Sequence, residues 1–320
     1  MKKHLLIQNR YIHGLGRGFL FLTIFGYILW YILQEQSGWT WPVISWREVG
    51  FISLALLLLP LNLGLETLKW QELLGDKENR PSIFRLGKGI LAGISLGIFT
   101  PNRVGEYAGR LMFLPKDQRW KGGITTWINR LNQMLITLGA GLGSLYGLKD
   151  TLSGFEVNGW APWNYLVMIV WIAWISLAVF LFAHKWTLQH FPLPKIWKLT
   201  RAVRAAGESL ALDQLLHVTL LSLLRYTIFA LQYICLLYAF GFEGSVGIAW
   251  HMVTLVILIK SLAPSASVAE LGIREAVALT IMGYWAVSAP TILAATLSLY
   301  LINLVCPALV GLYFLIKKEK

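Results

Sequence analysis

Long apolar segments dominate this chain and restrict what it can fold into. A helix needs about 20 predominantly apolar residues to cross a bilayer. Six segments approach or exceed that length: 16–33, 51–74, 123–147, 162–183, 214–240 and 288–316. Hydrophobic residues make up 56% of the chain and charged residues 14%, against about 25% charged residues in an ordinary soluble protein. We therefore predict an all-α polytopic membrane protein with a single transmembrane domain over 1–320. This composition excludes a disordered chain, a nucleic-acid-binding domain and a typical soluble enzyme.

Two further apolar segments, 86–114 and 247–285, are each interrupted by a proline. Pro101 interrupts the first segment and Pro264 the second, and each half has about 15 residues or fewer. A proline inside a helix removes a backbone hydrogen bond, so we predict two re-entrant hairpins. Hairpins that open to opposite sides would fit an inverted pseudo-repeat. The sequence leaves open whether 247–285 returns to its own side or crosses the membrane twice.

The basic residues indicate how the chain is oriented in the membrane. The net charge is +12, from 28 Lys and Arg against 16 Asp and Glu. With a cytoplasmic N-terminus, 21 of the 28 basic residues fall in cytoplasmic segments such as 69–88, and only Arg47 and Lys149 fall outside. The first span lacks a small-x-small cleavage site, so we expect it to be retained. Both termini are therefore predicted to be cytoplasmic.

The longest connection, 184–213, predicts an amphipathic helix at about 194–212. Ile196, Leu199 and Val203 recur at helical spacing, while basic residues occupy much of the remaining surface. Such a helix can lie on an anionic cytoplasmic leaflet. A solvated linker helix is the alternative.

Nine ionisable side chains fall at membrane depth. Facing lipid, they would together cost on the order of 20–30 kcal/mol, more than a folded protein's margin of stability. They must therefore face one another, a water-filled cavity or the interface. The nine residues are Glu66, Arg103, Glu106, Arg130, Arg225, Lys260, Glu270, Arg274 and Glu275.

Most of these charges collect at the two interruptions. The helix that follows each interruption would direct its N-terminus into the membrane, where free N–H groups favour a phosphate or carboxylate. Arg103 and Arg274 would add positive charge there, and an arginine can bind a phosphate through two parallel hydrogen bonds. The alternative is that these charges form ion pairs that only pin the hairpins.

The predicted substrate-binding residues are Pro101, Asn102, Arg103, Gly105, Glu106, Arg110, Arg130, Arg225, Pro264, Ser265, Glu270, Gly272, Arg274 and Glu275. Supporting side chains are predicted at Glu66, Asn129, Gln133 and Lys260, although Lys260 could instead reach the interface. Thr125, Asn129, Gln133 and Thr137 repeat every four residues and so share one helix face. Interhelical hydrogen bonding is the alternative explanation for that face.

Two motifs resemble a known family. TPNRVGEYAGR at 100–110 and LGIREA at 271–276 are similar to the lysylphosphatidylglycerol synthase transmembrane-domain family, whose relatives are described as flippase-like. The resemblance implies a polytopic inner-membrane protein with two re-entrant hairpins that handles a phospholipid or another lipid-linked anion. In the multiple-peptide-resistance members, this module moves aminoacylated phosphatidylglycerol between leaflets and a separate soluble domain synthesises it. The glycine-rich stretch of the family is Ser-Ala-Ser-Val-Ala here. The resemblance covers the transmembrane module and not the synthase domain, so we expect no aminoacyl transfer.

The sequence is compatible with three functions. The leading hypothesis is a flippase-like translocator whose partners are membrane lipids, either an anionic phospholipid or a polyprenyl-linked lipid. The second is a non-catalytic membrane partner of an envelope lipid or glycan enzyme, for which the basic face of 195–204 would matter more than the hairpin charges. The third is a lipid-phosphate transferase with Glu106 or Glu270 as base. The sequence has no metal, nucleotide or nucleophile motif, so we expect no enzyme activity, no cofactor and no metal.

Overall fold

A computed structural model describes Gly26 and residues 46–75, 81–100, 103–148, 162–183, 210–262 and 269–318. Within these ranges the chain contains no strand, which confirms the all-α prediction. The helices are α1 (Trp46–Leu74), α2 (Ile83–Ile98), α3 (Val104–Met112), α4 (Arg119–Gly147), α5 (Pro162–Phe182), α6 (Leu212–Ala239), α7 (Val246–Leu262), α8 (Ala269–Tyr284), α9 (Ala289–Tyr300) and α10 (Cys306–Lys318). The predicted span 16–33, except Gly26, and the amphipathic helix 194–212, except its last three residues, lie outside the described residues.

Four of the predicted spans correspond to helices that are long and apolar enough to cross a membrane. They are Glu48–Leu74, Asn164–Phe182, Leu212–Ala239 and Ala289–Lys317. The predicted span 123–147 is also helical, but it is not among these four. Its helix, α4, has 29 residues, about 44 Å, so its length suffices to cross a bilayer. What sets it apart is a buried polar face, formed by residues such as Thr125 and Asn129.

The first interrupted segment forms a pair of short helices that pack antiparallel. α2 has 16 residues and α3 has nine. The backbones touch along a seam of glycines, because a Cβ on Gly109 would lie 2.5 Å from the Cα of Gly93, and one on Gly105 would lie 2.6 Å from the carbonyl carbon of Leu96. Arg103 reverses the chain with a left-handed backbone, at φ 53°. The predicted helix, interruption and helix over 86–114 are therefore present.

The second interrupted segment contains helices slightly longer than expected. α7 has 17 residues and α8 has 16, against the predicted length of about 15 residues or fewer. Each is about 24–26 Å long, which approaches the hydrocarbon thickness of about 30 Å. Both helices contribute to the largest apolar core, for example through Met252, Val256 and Leu279. The interruption itself, including Pro264 and Ser265, lies outside the described residues.

The C-terminal helices connect the two interrupted segments. α9 continues through a π-helical segment, Leu301–Val305, into α10. α10 packs closely on α2, where the Ser95 hydroxyl donates to the carbonyl of Ala308 at 2.6 Å. A Cβ on Gly311 would overlap the backbone of Leu91. α9 packs on α6 and α8, so this continuous helical stretch contacts both interrupted segments.

Candidate substrate site

A cavity of about 350 Å³ lies where α1, α2, α3, α4, α6, α7, α8 and α9 meet. Both interrupted segments contribute to its wall, the first through α2, Arg103 and α3 and the second through α7 and α8. Its cationic lining residues are Arg103, Arg110, Arg225, Lys260 and Arg274, and its carboxylates are Glu66 and Glu106. Among the lining residues that the structure describes, positive groups therefore outnumber negative ones. Apolar side chains such as Ile94, Phe229 and Ile257 complete it.

Arg110 links two buried carboxylates at one side of the cavity. Its Nη2 donates to Glu66 Oε1 at 2.7 Å and to Glu106 Oε1 at 2.6 Å. The guanidinium also lies 5.5 Å from the centroid of the Trp70 ring. Arg130 binds the second carboxylate, donating to Glu106 Oε2 at 2.5 Å. The result is a ladder of alternating charges that ties α1, α3 and α4 together.

Gln133 organises a second group of cations beside this ladder. Its side-chain oxygen accepts hydrogen bonds from Lys69 Nζ at 2.9 Å and from Arg225 Nη1 at 3.2 Å. Lys69 is fully buried in α1, while Arg225 projects from α6 and keeps 29% of its side chain exposed. Asn129, one turn before Gln133 on the same helix face, donates to Glu66 at 2.9 Å. The predicted polar face of α4 therefore contacts the charged groups and also hydrogen-bonds between helices.

Arg274 is held at the cavity by its neighbours on α8 and α9. It donates to Glu275 Oε1 at 3.1 Å. Its guanidinium lies 5.0 Å from the centroid of the Tyr300 ring. An arginine stacked on an aromatic face keeps a defined orientation, which leaves its charge directed at the cavity.

The structure brings most of the predicted site residues together. On the cavity wall lie Glu66, Arg103, Glu106, Arg110, Gln133, Arg225, Lys260 and Arg274. Asn129, Arg130 and Glu275 contact wall residues through the bonds described above, and Gly105 belongs to the seam between α2 and α3. Gly272 lies on α8, as does the backbone of Glu270. Pro101, Asn102, Pro264, Ser265 and the side chain of Glu270 lie outside the described residues.

Sequence reasoning missed several residues of the site. Lys69 was assigned to a cytoplasmic segment, yet it is buried next to Glu66, with 3.6 Å between Nζ and Oε2. The spacing of three residues from Glu66 on one helix was a usable signal, because such residues share a face. Lys69 lies behind Glu66 and Gln133, whereas Tyr300 and Asn303 line the cavity. Nothing in their local sequence indicates this, because both positions depend on how α9 and the π segment pack.

Comparison with known proteins identifies the family. No curated protein matches the chain. A family model described as the lysylphosphatidylglycerol synthase TM region matches residues 18–311, which is all but 17 residues at the start and nine at the end. That range includes both motifs that carry the resemblance and every described residue of the cavity wall. The chain therefore belongs to the lysylphosphatidylglycerol synthase transmembrane-region family.

Proposed function

We propose that the protein is a flippase-like translocator that moves a phospholipid or another lipid-linked anion between the leaflets of the inner membrane. The observation that carries the proposal is the shared cavity, in which Arg103 from the first interrupted segment and Arg274 from the second line one wall. With five cationic and two acidic residues in the described part of its lining, the cavity favours an anionic group.

The physical problem for a translocator is the headgroup. A charged group placed in hydrocarbon is strongly disfavoured, so an anionic headgroup does not cross a bilayer readily by itself. A cavity lined by arginines replaces the lost hydration with charge-assisted hydrogen bonds. Its volume, about 350 Å³, lies within the range of about 300–1,000 Å³ that is usual for small-molecule sites. The acyl chains would stay in the surrounding lipid while the headgroup passes through.

The interrupted helices supply the proposed movement. Short or interrupted segments at corresponding places in two halves of a membrane protein are typical of transport sites. We propose that the α2–α3 pair and the α7–α8 pair are re-entrant hairpins that open the cavity alternately to each leaflet. The same cavity then serves the headgroup from both sides.

A vesicle assay tests this function. The purified chain is reconstituted in phosphatidylcholine vesicles that contain one headgroup-labelled lipid: anionic, zwitterionic or polyprenyl-phosphate. Label that becomes inaccessible to a quencher outside reports movement between leaflets. We expect anionic lipids to move faster than in protein-free vesicles. Arg225→Gln and Arg274→Gln should each slow this movement about tenfold or more, because each removes a charge-assisted bond.

Arg119→Gln is the matched control, since Arg119 is exposed at the start of α4 and does not line the cavity. It should leave the rate unchanged. If none of the three lipid classes moves faster than in protein-free vesicles, the translocator proposal is wrong. A role as membrane partner of another envelope enzyme would then be favoured.

The proposed orientation has its own test. Both termini should be cytoplasmic, and the connection near Lys149 should lie outside. A reporter that is active only outside the cytoplasm should be active when inserted at Lys149 and inactive when fused after Lys320. The opposite pattern would overturn the orientation while leaving the cavity untouched.

A further inference from the structure

Two cations converge on one uncharged oxygen beside the cavity. Lys69 Nζ and Arg225 Nη1 both donate to the amide oxygen of Gln133, at 2.9 and 3.2 Å. An amide oxygen has two lone pairs and can accept both bonds, but it supplies no negative charge. Lys69 is fully buried, and a buried ammonium requires a charged partner to offset its lost hydration.

The nearest carboxylate, Glu66, contacts these two cations through only one of its two oxygens. Its Oε1 is held by Arg110 at 2.7 Å and by Asn129 at 2.9 Å. Its Oε2 lies 3.6 Å from Lys69 Nζ and 3.4 Å from Arg225 Nε. The first oxygen is fixed by short bonds, whereas the second is held by longer ionic contacts.

The cluster as a whole is short of negative charge. Among the described residues, Lys69, Arg110, Arg130 and Arg225 face two carboxylates, those of Glu66 and Glu106. Arg110 Nε and Nη1 and Arg225 Nε are buried and find no hydrogen-bond acceptor among the described residues. Arg225 Nε keeps its 3.4 Å ionic contact with Glu66 Oε2, and the two Arg110 nitrogens have no described acceptor. All three lie next to a cavity that Arg110, Arg225 and Gln133 line.

We propose that Lys69 and Arg225, held together by the amide oxygen of Gln133, form an oxyanion subsite, in which one phosphate oxygen of the substrate displaces Glu66 Oε2. Glu66 is then a tethered counter-anion: it neutralises the two cations when no phosphate is bound and competes with the phosphate for them. Arg110 remains anchored to Glu106 throughout, so the cavity wall keeps its shape. This inference rests on the proposed function in taking the phosphate to be that of a lipid headgroup.

The competition predicts an uncommon result, in which removing a site residue tightens binding. Glu66→Gln removes the competing charge and keeps the size of the side chain. With the full chain in phosphatidylcholine nanodiscs, titration calorimetry with dihexanoyl phosphatidic acid should show binding tightened about tenfold over wild type. Lys69→Gln should weaken it by a similar factor. Arg119→Gln, outside the cavity, should match wild type.

A second substitution tests the same idea from the other side. Gln133→Glu is nearly isosteric and places a permanent carboxylate where the two cations converge. It should weaken binding of dihexanoyl phosphatidic acid at least tenfold and raise the melting temperature, because it supplies the charge that the phosphate would bring. Wild-type affinity in a folded Gln133→Glu protein overturns the subsite. Unchanged or weakened binding in folded Glu66→Gln overturns the competition.

Inorganic phosphate, titrated in a separate arm, identifies the source of the anion. If both ligands follow the same order among the variants, the phosphate group alone is recognised. If only the short-chain lipid binds, the subsite requires a headgroup attached to a lipid. If neither ligand binds to the wild-type protein, the subsite proposal is wrong. Because these titrations do not require transport, the subsite can be established even if the vesicle assay shows no lipid movement.

Discussion

The glycine seam between α2 and α3 allows a stringent test of the fold. Gly109 lies against the backbone of α2, and a Cβ added to it would sit 2.5 Å from the Cα of Gly93 and 2.6 Å from the carbonyl carbon of Ala92. Ordinary van der Waals contact begins near 3.4 Å. Gly109→Ala must therefore separate the helices by about 1 Å. Backbone atoms cannot rotate aside as a flexible side chain can, so the whole helix pair has to adjust.

The magnitude follows from two opposing terms. Alanine in place of glycine stabilises a helix by about 1 kcal/mol. Overpacking against fixed neighbours costs about 1–3 kcal/mol. Gly143→Ala in α4 is the matched control, because a Cβ there has nothing within 4 Å. The propensity gain is similar in both variants, so their difference isolates the steric cost, about 1–3 kcal/mol.

Thermal unfolding of the full chain in one detergent, followed by intrinsic tryptophan fluorescence, measures this difference. Gly143→Ala should melt at or above the wild-type temperature, and Gly109→Ala should melt below Gly143→Ala by several degrees. Equal melting temperatures for the two variants would refute the close packing of α2 on α3.

Two further substitutions test other contacts by the same measurement. Arg110→Gln should lower the free energy of unfolding by about 3–5 kcal/mol, because it leaves Glu66 and Glu106 buried without their shared partner; a melting temperature equal to wild type would contradict the ladder. Gly311→Ala should melt below Gly64→Ala, since a Cβ at position 311 would overlap the backbone of α2 whereas one at position 64 has nothing within 4 Å; the reverse order would contradict the docking of α10.

The sequence was sufficient to predict the helical spans and the convergence of several charges. An apolar run such as 214–240 predicts a membrane-spanning helix from its length and composition alone. The helix in the structure, Leu212–Ala239, differs from that predicted span by two residues at its start and one at its end. Arg103, Arg225 and Arg274 could be placed together because an arginine at membrane depth has few alternatives to a polar cavity. That argument needs only the position of each residue along its segment.

The residues that escaped prediction depend on tertiary contacts. Lys69 lies near the C-terminal end of α1, where a lysine is ordinarily a flanking charge that reaches the interface. Its burial follows from Gln133 on α4, more than 60 residues away in the chain. The role of Tyr300 likewise depends on its contact with Arg274 on α8. Neither contact leaves a local pattern, so single-sequence reasoning had no signal for them beyond helical spacing.

The glycine seam also determines how force passes through the molecule. Because α2 and α3 touch through backbone atoms, they cannot slide past each other without a steric clash and form one rigid unit. This unit is coupled to α10 through the hydrogen bond from Ser95 to Ala308. Under the proposed function, a headgroup that displaces Arg103, at the end of this unit, would therefore displace the C-terminal helix as well. If the cavity opens as proposed, the stiffness of α10, about 200 residues from Arg103 in sequence, would then affect how fast it opens.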